Sequence, residues 1–203
     1  WLVELTSKNE MHRHMDYGCG DGGFLNALRK ADCLTGVKFN GVDFDSRAIE
    51  WARIFSTDDS VFECVDVHDL REETFDSGSL IEVFEHIPPA EGAHFVEGLA
   101  KSLKKGAELF VTVPSTQKPV EEKHYRHFDF ALLEECFASH FDVIDKFGFE
   151  RQTLLPKLLS KAIMNRYVYV ETLVTSRFLT SMFERKYTVL KGCGRIGMVF
   201  RKR

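Results

Sequence analysis

Several features are missing from this 203-residue chain, and each absence excludes a class of protein. It has no run of about 20 apolar residues, which a membrane-spanning helix needs, and no recognisable signal peptide. Its five cysteines are odd in number and show no C-x-x-C spacing, which argues against a disulfide framework and a zinc knuckle. Aromatic and basic residues do not interleave as in a base-stacking surface, so nucleic acid is not an expected partner. We therefore expect a protein of the reducing cytoplasm.

The composition instead supports a well-packed domain, with 44% hydrophobic and 29% charged residues. Strand-like and helix-like apolar patterns alternate along the chain, as they do in a parallel sheet with helices on both faces. The pattern predicts strands near residues 12–17, 38–43, 61–65, 79–83, 107–113, 142–149 and 195–202, and helices near 22–31, 46–55, 91–104 and 130–138. We expect an α/β fold with a Rossmann-like, seven-stranded, mostly parallel sheet.

A glycine-rich turn follows the first predicted strand, in the run Asp16-Tyr17-Gly18-Cys19-Gly20-Asp21-Gly22-Gly23. Glycines let the chain reverse tightly, and the free N–H groups of the next helix point to whatever lies above the turn. The sequence therefore predicts a ligand at this turn.

The spacing of the turn fits two kinds of nucleoside cofactor. Gly18, Gly20 and Gly23 satisfy the G-x-G-x-x-G pattern of dinucleotide-binding proteins, and an acid, Asp43, follows at the required distance. Asp16 distinguishes the two, because a carboxylate there would repel a pyrophosphate but attract the ammonium and sulfonium groups of S-adenosylmethionine (SAM). Residue chemistry therefore favours SAM over a nicotinamide cofactor.

Five segments in register between residues 10 and 150 resemble the class I SAM-dependent methyltransferases. They are residues 16–22, 41–45, 64–67, 75–87 and 103–115. Within them Glu82-Val83-Phe84-Glu85-His86-Ile87 is similar to the E-V-L-E-H-I segment of a subgroup that includes ubiquinone-biosynthesis, natural-product and glycan O-methyltransferases. The resemblance implies SAM as cofactor, S-adenosyl-L-homocysteine as product and an antiparallel last strand.

The same resemblance implies a set of cofactor-binding residues. They are Asp16, Gly18, Cys19, Gly20, Asp43, Phe44, Asp66, Val67 and Glu82. In related enzymes the equivalent of Asp43 binds the ribose, Phe44 forms a wall of the adenine pocket, and Glu82 lies beside the methionine end. Two departures stand out: Tyr17 is bulkier than the usual aliphatic residue, and Ser77-Gly78-Ser79 interrupts a normally apolar strand. We therefore expect a short or offset fourth strand.

Histidines cluster after the fourth and fifth predicted strands, at the sheet edge where ligands of such folds bind. Methyl transfer chiefly needs the acceptor atom and the methyl group to be aligned, but a hydroxyl acceptor must also lose its proton. A histidine, with an unperturbed pKa of about 6.5, is suited to accept that proton. His127, His86 and His124 are the candidate bases, and His127 is favoured because residues 126–129 are similar to a stretch near the acceptor pocket of related enzymes. A purely structural hydrogen bond stays open for each.

Metal-dependent chemistry is the alternative. Glu82, Glu85, His86 and a later histidine such as His127 have the composition of a divalent-metal site. Small-RNA 2′-O-methyltransferases carry a similar E-x-x-E-H, but this chain lacks their D-H-x-F-E-W stretch, and metal-free relatives share the spacing. The sequence therefore favours a metal-free enzyme; a non-catalytic SAM-binding partner subunit is a further alternative.

Charge is distributed unevenly along the chain. Residues 1–150 carry 15 Lys and Arg against 29 Asp and Glu, residues 151–191 carry 8 against 2, and residues 192–203 add four basic residues and no acidic one. Apolar residues recur at helical spacing in residues 151–191, which predicts a basic helical insertion between a SAM-binding core and the last strand. Such a lid either covers the sheet or receives an anionic small-molecule, glycan-linked or lipid-linked acceptor, and it suits peripheral contact with the inner membrane face.

Overall fold

The computed structural model of the protein describes residues 12–29, 34, 36–56, 61–151 and 186–203. Strands and helices alternate through these ranges, as the apolar pattern predicts. The strands are β1 (Arg13–Tyr17), β2 (Lys38–Val42), β3 (Val61–Glu63), β4 (Phe75–Ile81), β5 (Leu103–Pro114), β6 (Phe141–Arg151) and β7 (Cys193–Lys202). The helices are α1 (Gly23–Arg29), α2 (Ser46–Phe55), α3 (Gly92–Ser102) and α4 (Phe130–Phe137), with short 3₁₀ turns at Val67–Asp69 and Phe84–His86.

In the described part of the chain the strands form one seven-stranded sheet, ordered β3-β2-β1-β4-β5-β7-β6. The first five strands pair in parallel, and β7 runs antiparallel to both β5 and β6. The chain moves outward from β1 to β3 and then crosses back to β4, so the strand order reverses between β1 and β4. Ligands of open α/β sheets bind at this reversal. The structure confirms the α/β Rossmann-like fold and its antiparallel last strand.

The apolar core is divided into two clusters, which explains why helices are needed on both sides of the sheet. Val42 of β2 packs into a large cluster with α3 and α4, whereas Phe39 of the same strand joins a smaller one with α1 and α2. Alternate strand residues point to opposite faces. Side-chain caps fix two helix starts: Asp45 accepts a hydrogen bond from the Arg47 N–H, and Asp129 accepts one from the Leu132 N–H.

Strand β4 corrects the sequence prediction. It extends from Phe75 to Ile81 rather than over 79–83, so the expectation of a short strand is wrong, whereas its pairing with β5 does shift in register between Phe75 and Ser77. Ser77 and Ser79 are buried, and their hydroxyls lie 2.8 and 2.9 Å from the two ring nitrogens of His14 on β1. The polar side chains thus find partners inside the sheet, which removes the penalty for burying them.

The predicted basic insertion falls largely on residues 152–185, which lie outside the described residues. The part that is described, 186–191, contains no helix, and Tyr187 instead pairs with Gly148 of β6 through two backbone hydrogen bonds. The division into a core at 1–150, a lid at 151–191 and a last strand at 192–203 stays a prediction. None of the described helices is long and apolar enough to cross a membrane.

Candidate active site

A cavity of about 750 Å³ opens where the strand order reverses. Its size is within the range of about 300–1,000 Å³ typical of small-molecule sites. The predicted site residues that line it are Gly18, Asp43, Phe44, Asp66, Val67, Glu82 and His86. The remaining predicted residues, Asp16, Cys19, Gly20, His124 and His127, are not part of this lining. The structure therefore brings most of the predicted cofactor-binding residues and one predicted base to the lining of one cavity.

The glycine turn and Asp43 hold each other in place. Gly18 and Gly20 have positive φ angles of 71° and 54°, a conformation that glycine adopts without strain. The Gly18 N–H donates to the carbonyl of Val42 at 2.7 Å, and the Gly20 N–H donates to Asp43 Oδ2 at 3.0 Å. Asp43 Oδ1 accepts from the Asp45 N–H at 2.9 Å. Two backbone donors thus orient a carboxylate at the cavity wall.

Asp16 lies inside the sheet rather than on the cavity wall. It is buried, and its Oδ1 accepts a 2.6 Å hydrogen bond from the Ser79 hydroxyl. Burial raises the pKa of Asp16 to about 7, and the nearby Asp43 adds to this effect, while the Ser79 hydrogen bond opposes it. Because the Ser79 hydrogen points to Asp16, the ring Nε2 of His14 must donate to Ser79. Burial lowers the pKa of His14 to about 3, so this ring is neutral. Because the pKa of Asp16 is near neutral pH, a nearby cation can change its charge.

Part of the cavity lining is aromatic. Phe44 is 88% exposed beside it, and the rings of His68 and His94 stack at 3.8 Å with both residues in the lining. Asp66 Oδ1 accepts from the His68 N–H at 2.9 Å and so caps the turn that carries Val67. A flat, partly apolar wall suits a purine ring. No sequence pattern predicts this histidine stack, since its two members lie on separate elements.

Glu82 is held by an ion-pair network. It has a positive φ of 55°, its Oε1 accepts from the Thr112 hydroxyl at 3.0 Å, and its Oε2 accepts from Arg195 Nε at 2.8 Å. Arg195 also reaches Glu150 at 3.1 Å, and Glu150 pairs with Lys118 at 3.2 Å. The sequence alone does not indicate a role for Arg195, because β7 returns to this edge of the sheet far along the chain. The network fixes the Glu82 carboxylate at the cavity.

The three predicted catalytic histidines lie next to one another, and their hydrogen bonds define their tautomers. Of the three, His86 lines the cavity. His127 Nδ1 lies 3.1 Å from the Lys118 carbonyl, and its Nε2 lies 2.9 Å from His124 Nδ1. A carbonyl only accepts, so His127 donates from Nδ1 and accepts at Nε2, and His124 must donate from Nδ1. His86 Nδ1 donates to the Lys123 carbonyl at 2.9 Å by the same argument. His86 and His124 therefore keep Nε2 lone pairs, whereas both nitrogens of His127 are engaged.

Glu85 lies beside His86 and His124. Its side chain is 1% exposed, and its Oε2 has no hydrogen-bond partner among the described residues. Burial raises the pKa of Glu85 to about 8, while burial and the nearby His86 lower that of His124. Glu85, His86 and His124 each place one potential ligand atom within 4.8 Å of the other two. Two imidazoles and a carboxylate are a ligand set that divalent transition metals accept.

Known proteins share both the sequence pattern and the architecture. A family model described as a methyltransferase domain matches residues 2–153. The ubiquinone biosynthesis O-methyltransferase of Bordetella avium is 27% identical over 116 residues, which cover 54% of this chain and 46% of that protein. The chain thus spans about half the length of this curated relative.

Two solved structures are similar in fold. A SAM-dependent methyltransferase from Archaeoglobus fulgidus is 16% identical with a TM-score of 0.65, over 95% of this chain and 86% of that one. The 1,6-didemethyltoxoflavin-N1-methyltransferase of Burkholderia thailandensis, which has S-adenosylhomocysteine bound, is 16% identical with a TM-score of 0.63, over 99% and 75%. The family match over residues 2–153 shows that the chain belongs to the methyltransferase-domain family.

Proposed function

We propose that this methyltransferase transfers the methyl group of SAM to a hydroxyl oxygen of a small-molecule, glycan-linked or lipid-linked acceptor. One observation carries the proposal: Asp43 and His86 line the same cavity. The same space thus offers a carboxylate for the cofactor ribose and an imidazole for the acceptor proton. The O-methyltransferase name of the Bordetella avium relative supports an oxygen acceptor.

The cofactor wall is assigned by chemistry. Bound SAM supplies a methyl group on a sulfonium, and the sulfur leaves as a neutral thioether that needs no proton. Asp43 would accept the ribose hydroxyls with the lone pairs that its backbone donors leave free. Phe44 would cover the adenine, with Asp66 and Val67 at its edge, and Glu82 would lie beside the methionine end. The backbone N–H donors and the Arg195 ion pair hold the Asp43 and Glu82 carboxylates in position before the ligand arrives, which lowers the entropy lost on binding.

The acceptor side is assigned to the histidine cluster, which we define as His86, His124 and His127. In the reaction an oxygen–carbon bond forms as the sulfur–carbon bond breaks, and the hydroxyl proton leaves the acceptor. The Nε2 lone pair of His86 or His124 would accept this proton, whereas His127 would act as a positioning residue through its hydrogen bond to His124. Positioned proton transfer typically contributes about 10²–10⁴-fold to a rate.

The acceptor class follows from charge. Residues 151–191 carry 8 basic and 2 acidic residues beside an acidic core, so they favour an anionic acceptor or the anionic surface of a membrane that presents a lipid-linked one. Nucleic acid is not part of the proposal.

The test measures S-adenosylhomocysteine release from SAM with a panel of phenols, sugars and polyprenyl-linked hydroxyl acceptors. His86→Ala and His124→Ala should lower kcat by about 10²–10⁴-fold while SAM affinity stays within twofold. His140→Ala is the matched control, because His140 precedes β6 at the opposite edge of the sheet. Full activity in the cluster variants would contradict the proposal, and SAM binding without turnover on any acceptor would favour the partner-subunit alternative.

A further inference from the structure

Glu150 is shared by two cations that belong to different parts of the site. Its Oε2 lies 3.1 Å from Arg195 Nη1, and its Oε1 lies 3.2 Å from Lys118 Nζ. The side chain of Glu150 is 17% exposed and that of Lys118 is 20% exposed, so water and salt screen their attraction less than that of a surface pair. One half-buried carboxylate of β6 therefore binds both β7 and the loop that follows β5.

The first cation leads to the cofactor cavity. Arg195 Nε donates to Glu82 Oε2 at 2.8 Å, and Glu82 lines the cavity. Glu82 and Glu150 thus share one guanidinium group. Because that group is rigid and planar, it sets the position of one carboxylate relative to the other. Without the charge of Glu150, Arg195 would be held from one side only, and Glu82 would be less firmly oriented.

The second cation leads to the histidine cluster. Lys118 lies in the loop of residues 116–127, and its carbonyl accepts the Nδ1–H of His127, which in turn accepts from His124. The ammonium group of the same lysine is bound to Glu150. The carbonyl that orients His127 therefore belongs to a residue whose side chain is anchored on β6, and the loop that carries both histidines is held at this point.

The backbone of Glu150 supports a role for its side chain. Its φ angle is 54°, in the left-handed region that glycine adopts more readily than glutamate does. Glu82 has a similar φ of 55°, so both carboxylates that bind Arg195 are carried on strained backbone. Such strain persists where surrounding contacts hold it, and it is concentrated at functional sites. The carboxylate, and not the backbone, therefore accounts for a glutamate at position 150.

We propose that Glu150 is a positioning residue for both halves of the site. Through Arg195 it orients Glu82 at the cofactor cavity, and through Lys118 it fixes the loop that orients His127 and His124. Methyl transfer depends on the alignment of cofactor and acceptor, and a residue bound to both sides contributes to that alignment. Its value for catalysis, and for the cofactor beside Glu82, rests on the proposed function, whereas the orientation of the histidines does not.

The experiment compares Glu150→Gln with the wild type by two readouts that need no acceptor. Calorimetry measures the affinity for S-adenosylhomocysteine, and NMR of protein labelled with ¹⁵N in its histidine rings identifies the nitrogen that carries each proton. The wild type should show the Nδ1–H form for His127 and His124. Glu150→Gln should weaken S-adenosylhomocysteine binding by about 2–30-fold. It should also convert the signals of both rings to an average of the two tautomers.

Variants of the two partners separate the two effects. Lys118→Gln should change the histidine signals and leave the affinity for S-adenosylhomocysteine at the wild-type value, and Arg195→Gln should do the reverse. Glu150→Gly relieves the backbone strain and removes the carboxylate, so it should behave like Glu150→Gln in both readouts. Glu108→Gln is the matched control, because it removes the 2.9 Å ion pair with Arg201 elsewhere on β5 and β7 and should change neither readout.

The result that overturns the proposal is a wild-type value of either readout in both Glu150 variants, because one residue would then not hold both halves of the site. If Glu150→Gln does not fold, Glu150→Gly and the two partner variants decide the question by the same readouts. If the expected changes occur but no hydroxyl acceptor is methylated, the proposed function fails and the positioning role stands. Methylation at the wild-type rate by both Glu150 variants would overturn the role in catalysis and leave the proposed function intact.

Discussion

The ring of Tyr17 packs directly over Gly78, where an added Cβ would lie 2.8 Å from Tyr17 Cε2. The Tyr17 hydroxyl lies 2.6 Å from that of Ser102, so the ring points into the core and away from the cofactor cavity. A bulky residue on β1 and a glycine on β4 therefore form one matched pair, and the bulk of Tyr17 does not narrow the pocket.

This pair predicts non-additive stability changes. Gly78→Ala should lower the free energy of unfolding by about 1–3 kcal/mol, because the new methyl group collides with the ring. In the background of Tyr17→Leu the same substitution should be less damaging, since the ring is gone. Urea denaturation of the two single variants and the double variant measures the coupling. Additive effects would mean that the ring does not limit position 78.

Asp16 predicts a pH-dependent cofactor affinity. Burial raises its pKa to about 7. Asp16 lies two residues before Gly18, which lines the cavity, so the positive charge of bound SAM should act on it through space, favour the carboxylate and expel a proton near neutral pH. SAM affinity should therefore rise as the pH increases through about 7 and level off above it. Calorimetry in two buffers of different ionisation enthalpy measures the released proton.

Asp16→Asn is the variant that checks this assignment, because it keeps the shape of the side chain and removes the titration. Its SAM affinity should be weaker at high pH and nearly independent of pH. If the variant keeps the proton release of the wild type, another group is responsible.

Arg195 links Glu82 in the cavity lining to Glu150 of β6, and this link should matter for stability and for cofactor binding. Arg195→Gln leaves Glu82 and Glu150 without their shared cation and should lower the free energy of unfolding by about 1–3 kcal/mol, with weaker SAM binding. Arg201→Gln is the matched control on the same strand, because its exposed pair with Glu108 should contribute less than about 1 kcal/mol. Equal effects of the two substitutions would show that the Arg195 network has no special role.

If the basic segment 151–191 receives the acceptor, we expect a salt-dependent effect on turnover. Replacing Lys157, Lys161 and Arg166 by glutamine should lower kcat/KM for an anionic or lipid-linked acceptor while SAM affinity stays constant. The difference from the wild type should shrink as salt is added, because exposed charges are screened over about 8–10 Å at physiological ionic strength. Unchanged turnover and unchanged liposome binding would remove the support for an anionic acceptor.

The sequence predicted the sheet and most of the cavity wall because their signals are local. The glycine turn and Asp43 lie at the ends of neighbouring strands, and spacing alone places them together. The position of β4 was predicted wrongly because its signal is not local. Ser77 and Ser79 look like a break in an apolar strand, but both bond to His14, which lies more than 60 residues earlier in the chain. Contacts of this kind depend on register between distant strands and leave no periodic pattern.

The roles within the histidine cluster could not be ranked from sequence either. The sequence favoured His127, yet both of its nitrogens are engaged, and the free lone pairs belong to His86 and His124. Which nitrogen is free depends on the Lys118 and Lys123 carbonyls, whose positions follow from the path of a loop. Arg195 was missed likewise, since it reaches Glu82 only through the return of β7.

The central claim is that the methyl group goes to oxygen, and it is tested most directly by following that group. The protein is incubated with SAM labelled with ¹³C at the methyl group and with each hydroxyl acceptor that supports turnover, and the product is examined by carbon NMR. The account predicts a resonance in the methoxy region that correlates with the acceptor carbon bearing the oxygen, and its loss in His124→Ala. A resonance in the N-methyl or C-methyl region, formed at the wild-type rate by that variant, would contradict it.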